Sequence, residues 1–229
     1  MNCAPRRSVV LDKMRAGKKA LSFKNNFACA RASEQAALCG FDCVWICREH
    51  VPTDFEVMEK QILACKAHDV DTIVRVSKGS YSDYVLPLEA DATGIIVPHV
   101  ESADEARQIV EWTRFHPLGK RALDSGNADG GYATADMAAY IAHANAEKLI
   151  ILQIESPEGL AQVEASAAVP GFTGFLFGPG DFSHRIGLAG QLTNPQTTAA
   201  RRRVAQVARQ HGKFVWAAGL YAPFAELVA

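Results

Sequence analysis

The chain has 229 residues, of which 48% are hydrophobic, and its 24 basic and 25 acidic residues nearly cancel. This composition suits one large domain or two small ones with a sizeable core, and the lack of a long basic run disfavours a nucleic-acid partner. No apolar stretch approaches the roughly 18 residues that cross a membrane, and the N-terminus lacks the apolar core of a signal peptide, so we expect a cytoplasmic protein with no membrane partner.

Short apolar runs alternate with helix-like segments along the chain. Strands are predicted over residues 18–23, 41–47, 71–76, 93–100, 148–155, 174–178 and 213–219. Helices are predicted over residues 33–40, 53–69, 101–115, 134–146, 156–169 and 197–212. Pro87 makes any helix within residues 82–91 short or broken, because proline cannot donate the backbone hydrogen bond.

Two of these helices carry recognisable start signals. Ser102 and Glu105 have the spacing of a capping box, in which a serine and an acid satisfy the first backbone N–H groups. Ser156 is suited to cap the next helix, and Pro157 is the residue favoured at the first helical position.

The alternation of strands and helices predicts a parallel sheet covered by helices. An open doubly wound sheet is an alternative, but no G-x-G-x-x-G follows the first strand, which disfavours its dinucleotide-binding form. About seven βα units favour an α/β fold of the (β/α)8 TIM-barrel type, spanning residues 1–229 as a single domain. Residues 221–229 would begin the helix after strand seven, so either the last βα unit is missing from this chain or the first strand is assigned wrongly.

The six cysteines form no C-x-x-C pair. Cys39, Cys43 and Cys47 recur every four residues, a spacing that suggests either a metal cluster or simple packing. We favour packing, because the segment is apolar, no histidine stands at ligand spacing, and free cysteine behaves as a small buried hydrophobe.

Polar residues at the carboxyl ends of the predicted strands are the main functional signal, because these ends form the active-site face of a parallel barrel. They are Glu49, His50, Arg75, His99, Gln153, Glu155 and Asp181. His50 and Arg75 are 25 residues apart and Glu155 and Asp181 are 26 apart, each about one βα unit, so we expect each pair on neighbouring strands at the same rim.

Glu155 and Asp181 predict a metal site. Two carboxylates on adjacent strand ends repel each other unless a proton or a cation lies between them, and an all-oxygen site suits Mg2+ or Mn2+. Gly178 and Gly180 would let the backbone approach such a site. The alternatives are that Asp181 caps a helix and that Glu155 forms a structural salt bridge.

Two further side chains are candidates for chemistry. Arg75 stands in an otherwise apolar strand, where it serves either a structural ion pair or an anionic substrate oxygen. His50 has an ordinary pKa near neutrality and would serve as an acid or base, although a histidine in a turn is an equal alternative.

Six segments together resemble one family. They are GFDCVWICREH, TIVRV, GIIVPHVESADEAR, HPLGKRA, LQIESPEGL and VPGFTGFLFGPGDFSHRIG. Over about residues 8–220 the chain is similar to the HpcH/HpaI aldolase and citrate lyase family, which contains metal-dependent class II pyruvate aldolases. The last two motifs are the most specific.

The resemblance implies a barrel that assembles into homo-oligomers, usually hexamers. It implies that Glu155 and Asp181 bind a divalent cation (Mg2+, Mn2+ or Co2+) that pyruvate chelates. Arg75 matches the arginine that holds the keto oxygen, and His50 matches the acid–base histidine. Gln153 matches a glutamine near metal and substrate, and backbone groups of Gly178, Pro179, Gly180 and Asp181 would contact the pyruvate carboxylate.

Three positions depart from the family pattern. Cys47 replaces an aspartate after strand two, Ala122 replaces the glycine of an Arg-Gly pair, and Glu89 stands where the aspartate partner of the histidine is expected. Glu89 is long enough to accept a hydrogen bond from His50. Metal and pyruvate binding therefore look intact, whereas the departures concern the proton-transfer step.

These residues lead to one main function and two alternatives. The main hypothesis is an aldolase that acts on a 4-hydroxy-2-oxo acid, with an oxo acid and an aldehyde as its small-molecule partners. The first alternative is a lyase acting on an acyl-CoA of the malyl or citryl type. The second is a relative that binds metal and oxo acid but has lost turnover, which Cys47 and Ala122 favour.

Overall fold

The computed structural model describes residues 6–217. Its strands are β1 Ser22–Asn25, β2 Cys43–Cys47, β3 Asp71–Arg75, β4 Gly94–Val97, β5 Leu149–Ile154, β6 Gly174–Phe177 and β7 Phe214–Trp216. Its helices are α1 Val9–Arg15, α2 Ala30–Leu38, α3 Phe55–Lys66, α4 Tyr81–Glu89, α5 Ala103–Thr113, α6 Met137–Glu147, α7 Pro157–Ala161, α8 Val163–Ala167, α9 Pro179–Arg185 and α10 Pro195–Gln210, with a short 3-10 turn at Ala128–Gly130.

The hydrogen-bonded strands follow one another in chain order, from β1 to β7. The pairs β1–β2, β2–β3, β3–β4, β5–β6 and β6–β7 are parallel. A doubly wound sheet reverses its strand order at a switch point, whereas a barrel adds each strand beside the previous one. The sequential order therefore confirms the predicted barrel type and excludes the doubly wound alternative.

The chain divides into two compact units. The first comprises residues up to 96 together with 111–149, and the second comprises 97–110 together with the residues from 150 onward. The single barrel domain expected over residues 1–229 stays a prediction.

The first unit holds its N-terminal helix through one buried carboxylate. Asp71, at the start of β3, is completely buried and accepts hydrogen bonds from the Ser8 hydroxyl at 2.7 Å and the Val10 N–H at 2.9 Å. Arg6 contributes an ion pair to the same side chain at 2.9 Å. These bonds satisfy a charge that would otherwise be costly to bury, and they fix the start of α1 against β3.

The second unit packs its long helix, α10, against β6. Asn194 caps this helix by accepting a hydrogen bond from the Thr197 N–H at 2.9 Å, and Pro195 occupies the first turn. Val204, Val207 and Ala208 are completely buried on its inner face. Residues at this helical spacing form one apolar stripe, which keeps the strand ends of the unit in place.

The predicted elements are largely confirmed, with differences in several places. The first strand, predicted over residues 18–23, is Ser22–Asn25, and no helix was predicted at α1 or α9. One helix was predicted over 156–169, but the structure ends α7 at Ala161 and begins α8 at Val163. The helix predicted to start at Ser33 is α2, which begins at Ala30. The segment containing Pro87 is a short helix, as expected.

The helix start signals are confirmed in part. Ser156 accepts a hydrogen bond from the Gly159 N–H at 3.0 Å, and Pro157 is the first residue of α7. Ser102 accepts a bond from the Glu105 N–H at 3.1 Å, but the Glu105 carboxylate reaches the N–H of Glu101 rather than that of Ser102.

Residues 221–229, predicted to begin the helix after strand seven, lie outside the described residues. Among residues 6–217, no helix has both the length and the apolar character needed to cross a bilayer.

Candidate active site

Arg75 is the centre of a polar group in the first unit. It is the last residue of β3 and is 5% exposed. Its Nε atom lies 2.9 Å from the Glu49 carboxylate, and its Nη2 group donates to the Cys47 sulfur at 3.1 Å. A buried guanidinium needs such partners, and two of them fix both its position and its plane.

Cys47 occupies the place where an aspartate was expected. It is 1% exposed at the end of β2, and register pairing places it directly opposite Arg75. Cys43 is also buried in the same strand, whereas Cys39 is exposed at the end of α2. Burial raises the pKa of the Cys43 thiol well above its usual range. These different environments agree with packing rather than with a three-cysteine metal cluster.

His50 and Glu89, predicted to work together, have different neighbours. The His50 ring is 60% exposed, and its Nε2 atom lies 3.6 Å from the Glu49 carboxylate. Glu89 is half-buried at the end of α4, where burial raises the pKa of its carboxyl and the nearby charge of Arg121 opposes the rise. Within residues 6–217, no hydrogen bond joins His50 to Glu89, so the predicted pair is not formed in this structure.

Arg121 belongs to a buried ion pair next to Glu89. Its Nη2 group lies 2.8 Å from the Asp129 carboxylate, and the two side chains are 1% and 0% exposed. The Tyr140 hydroxyl donates to the same carboxylate at 2.8 Å. This network anchors the loop that contains Ala122, whose N–H donates to the Tyr81 hydroxyl at 2.8 Å.

Glu155 is the central acid of the second unit. It follows β5 directly and is 1% exposed. Its Oε1 atom accepts the His99 N–H at 2.8 Å and lies 3.1 Å from the His99 Nδ1 atom, while Oε2 contacts the Gln153 amide. Burial raises the pKa of the Glu155 carboxyl, the contacts from His99 and Gln153 oppose this rise, and the charge of Asp181 adds to it.

Gly178 leaves open the space beside Glu155. A Cβ atom at Gly178 would lie 2.5 Å from Glu155 Oε2, 2.7 Å from Glu155 Cβ and 3.1 Å from Gln153 Nε2. Any side chain here would therefore displace the carboxylate. At Gly180, by contrast, an added Cβ would meet no atom within 4 Å.

Asp181 lies in the first turn of α9 and is exposed. The cap position of this helix is Gly178 and its first residue is Pro179, so the alternative that Asp181 is a helix cap is wrong. Its charge acts on Glu155, as two neighbouring carboxylates must. The His99 ring lies beside the Glu155 carboxylate, a contact that is an ion pair only when the ring is protonated, so the salt-bridge alternative for Glu155 stays a prediction.

The second unit suits a divalent cation. Three features support this. The Glu155 carboxylate is buried, the charge of the Asp181 carboxylate opposes its ionisation, and Gly178 beside it leaves no room for a side chain. In addition, the Gln153 Oε1 atom is buried and has no hydrogen-bond partner among the described residues. Oxygen ligands of this kind are those that Mg2+ and Mn2+ prefer.

Two features of these sites were not predicted from the sequence. His99 was noted only as a residue after a strand, but its backbone at φ 52° aims both its N–H and its ring at Glu155. Positive φ is uncommon outside glycine and was not readable from the sequence. Lys24 in β1 was not considered, although its ammonium group lies 5.1 Å from the centre of the Trp45 ring.

The fold and these groups are those of a parallel βα-barrel enzyme, which carries buried polar side chains at the carboxyl ends of its strands. The pattern of the HpcH/HpaI aldolase/citrate lyase family matches residues 25–219. The chain therefore belongs to that family.

Individual relatives agree with this assignment. A 5-keto-4-deoxy-D-glucarate aldolase of Klebsiella pneumoniae is 31% identical over 192 residues, which cover 84% of this chain and 73% of that protein. The crystal structure of citrate synthase SbnG has 28% sequence identity to this chain and a TM-score of 0.84. The matched region covers 91% of this chain and 81% of the SbnG chain. An HpcH/HpaI aldolase of Desulfitobacterium hafniense has the same fold, with 24% sequence identity and a TM-score of 0.88. The matched region covers 95% of this chain and 84% of that protein.

Family membership also fixes the general activity. The protein is a carbon–carbon lyase of the class II aldolase type. The family is metal-dependent and acts on small oxo acids.

Proposed function

We propose that the protein is a divalent-metal-dependent aldolase that cleaves a 4-hydroxy-2-oxo acid into pyruvate, or a closely related oxo acid, and an aldehyde, and also catalyses the reverse addition. The observation that carries this proposal is the buried Glu155 carboxylate beside a glycine that admits no side chain. Relatives that are named as aldolases support the reaction type.

Glu155 and Asp181 would hold the cation, which is Mg2+, Mn2+ or Co2+. When bound, such a cation supplies Lewis-acid polarisation of the keto group and so lowers the cost of the enolate. His99 holds Glu155 in one orientation through its N–H and its ring. Gln153 restrains the other carboxylate oxygen, and backbone groups at Gly178, Pro179 and Gly180 would contact the carboxylate of the oxo acid.

Arg75 would bind the keto oxygen and stabilise the negative charge that develops there. Glu49 and Cys47 already hold its guanidinium in a fixed plane, so little reorganisation is needed when charge appears. His50, which is exposed beside Glu49, would transfer the proton of the C4 hydroxyl, with a water molecule assisting.

The relative from Klebsiella pneumoniae suggests which substrate to try first. That protein is named for 5-keto-4-deoxy-D-glucarate, so this oxo acid is the first candidate here. A panel of aldehydes offered together with pyruvate would define the range of acceptors.

Asp181→Ala tests the metal site. We expect this variant to lose Mn2+ binding in calorimetric titration and to lose aldol cleavage with it, because one charged oxygen ligand is removed. Asp104→Ala is a suitable control, since the Asp104 side chain is 92% exposed. Unchanged Mn2+ affinity in Asp181→Ala would remove Asp181 from the site.

A second candidate is favoured by the likeness to citrate synthase SbnG at 28% identity. The protein would then join or split a citrate-like acid or its CoA thioester, using the same enolate chemistry. Incubation with citryl-CoA or malyl-CoA separates this reading from the first, because only a lyase of that type releases the acyl-CoA product.

A catalytically weakened relative is the third candidate, and Cys47 is the feature behind it. Its thiol accepts the Arg75 hydrogen bond that an aspartate would take with full charge. A large gain of cleavage in Cys47→Asp would indicate decay of activity, whereas no gain would indicate an active site adapted to the thiol. By resemblance to the family we also propose a homo-oligomer, which light scattering of the purified protein would size.

A further inference from the structure

A second cationic side chain, that of Lys24, lies two strands away from Arg75 in the sheet. Register pairing sets Lys24 of β1 opposite Trp45 of β2, and Cys47 of β2 opposite Arg75 of β3. Trp45 and Cys47 are two residues apart, so their side chains leave the sheet on the same face. Lys24, Trp45 and Arg75 therefore share the face on which Arg75 would meet the oxo acid.

The Trp45 ring contacts both cations. The Lys24 Nζ atom lies 5.1 Å from the ring centre, and the Arg75 Cζ atom also lies 5.1 Å from it. Each contact is an ordinary cation–π distance. Two positive groups are thus gathered around one indole, although they repel each other.

The two cations differ in how they are neutralised. Arg75 has Glu49 as an ion-pair partner. Lys24 forms no hydrogen bond and no ion pair with any residue of the described chain. Burial lowers the pKa of the Lys24 ammonium and the charge of Arg75 lowers it further, while the nearby Cys47 and Glu49 side chains oppose this fall.

Trp45 adds a second unused donor. Its Nε1 atom is buried and has no acceptor within residues 6–217. Buried indole N–H groups normally find a partner, since leaving one unpaired costs free energy. An ammonium and an indole N–H, both unused and on the same face, are the donors that an anionic oxygen would accept from.

We propose that Lys24 and Trp45 form an anion subsite that binds a carboxylate or phosphate group on the aldehyde half of the substrate. The inference rests on the proposed aldolase function. Arg75 is assigned to the keto oxygen, and adjacent strands lie about 4.8 Å apart, so β1 and β2 are placed for a group a few carbons from the reacting bond. Lys24 is thus a specificity-determining residue that selects acceptors bearing a negative charge.

Binding of anions can be measured without any turnover. Protein labelled with 15N in the tryptophan indole is titrated with succinate, with inorganic phosphate and with neutral 1,4-butanediol, and Trp45→Phe assigns the Trp45 N–H signal. We expect this signal to shift and saturate with at least one anion and not with the diol. In Lys24→Gln the apparent Kd should rise by about tenfold or more, since a charge-assisted bond is lost.

Lys19→Gln is the matched control, because Lys19 is an exposed lysine just before β1 and has no ion-pair partner among the described residues. It should leave the titration unchanged. Absence of any anion-dependent shift would overturn the subsite, and so would an equal Kd in Lys24→Gln and the unmodified protein.

Kinetics then test the specificity. Pyruvate is offered with succinic semialdehyde, with glyceraldehyde 3-phosphate and with neutral butanal. We expect kcat/KM to favour a carboxylated or a phosphorylated acceptor over butanal, and the better of the two identifies the anion. Lys24→Gln should lower that preference by about tenfold, mainly through KM, and Lys24→Arg should restore part of it.

The outcomes separate this proposal from the proposed function. If the unmodified protein binds anions at Trp45 but catalyses no reaction of pyruvate, the anion site stands, whereas the aldolase assignment fails and with it the assignment of that site to the aldehyde half. If aldol reactions proceed with equal kcat/KM for charged and neutral acceptors, the aldolase assignment stands and the subsite is overturned.

Discussion

Gly178 makes a sharper test of the metal site than either carboxylate does, because it changes no charge. Its Cβ would lie 2.5 Å from Glu155 Oε2, a distance at which one of the two groups must move. We expect Gly178→Ala to weaken Mn2+ binding by about tenfold or more, since overpacking of this kind costs about 1–3 kcal/mol. Calorimetric titration measures the affinity.

Gly180→Ala is the control for this substitution. An added Cβ at Gly180 meets no atom within 4 Å, and both glycines lie at the start of α9. It should therefore keep the Mn2+ affinity of the unmodified protein. Equal affinities in the two alanine variants would show that Glu155 is not part of the metal site.

At the scale of single residues, the sequence predicted which side chains are candidates for function better than it predicted which residues they contact. Glu155 and Arg75 could be predicted, because a charged residue at the end of an apolar strand is conspicuous. The contact of His99 with Glu155 depends on a backbone φ of 52° at His99, which the residue type does not predict. The role proposed for Lys24 depends on strand register, which sets it opposite Trp45.

At the scale of elements, Asp91 joins the end of α3 to the start of β5. It lies 2.5 Å from the Lys66 ammonium and 2.7 Å from that of Lys148. Burial alone would raise the pKa of the Asp91 carboxyl, but the two ammonium groups outweigh it and the pKa is lowered. A carboxyl whose folded pKa is lowered stabilises the protein above its unfolded pKa, and this contribution is lost as the pH falls through the folded value.

We therefore expect Asp91→Asn to lower the free energy of unfolding by about 1–3 kcal/mol at pH 7, because it leaves two ammonium groups without their anion. The difference from the unmodified protein should shrink as the pH falls below about 3.9, the unperturbed aspartate pKa. Urea unfolding at several pH values measures it. Asparagine tolerates the left-handed backbone at φ 69°, so the loop itself is preserved.

A pH-independent difference between Asp91→Asn and the unmodified protein would contradict this account of the ion pairs. Asp104→Asn provides the comparison, since that carboxylate is 92% exposed and pairs only with neighbouring Arg107 in the described chain. Exposed pairs contribute little, so its unfolding free energy should change little at any pH.

Strands and helices with a regular pattern of apolar residues could be predicted from the sequence. Helices whose ends depend on local backbone geometry could not. The strands β2, β3 and β4 are short apolar runs and were located from the sequence. Helix α9 was missed because Gly178, Pro179 and Gly180 are residues typical of a turn, and only the structure shows proline in the first turn of a helix. Residues 156–169 were predicted as one helix, whereas α7 ends at Ala161 and α8 begins at Val163.

At the scale of the whole molecule, activity and folding should respond differently to metal removal. The contacts of Glu155 with His99 and Gln153 are made by the chain's own backbone and side-chain groups, which do not depend on a metal ion for their bonds. We expect EDTA to abolish aldol cleavage and Mn2+, Mg2+ or Co2+ to restore it, while the far-UV circular dichroism spectrum stays unchanged. Loss of helical signal on chelation would show instead that metal is required for the fold.

The fold as a whole was predictable because alternating strands and helices allow few arrangements, and the sequential strand order selects the barrel type. The family motifs extended this prediction to chemistry. The pairing of His50 with Glu89 rested on motif positions alone and is not seen. In the structure His50 contacts Glu49, and Glu89 lies near Arg121.

The most direct test of the proposed function is the exchange of the methyl protons of pyruvate in deuterated water, followed by NMR. Enolate formation is the step that Arg75 and the metal carboxylates would serve, and it needs no knowledge of the aldehyde. We predict exchange that requires Mg2+, Mn2+ or Co2+ and is lost in Asp181→Ala. Pyruvate whose methyl protons do not exchange in the presence of any of these cations would contradict the assignment as a pyruvate aldolase.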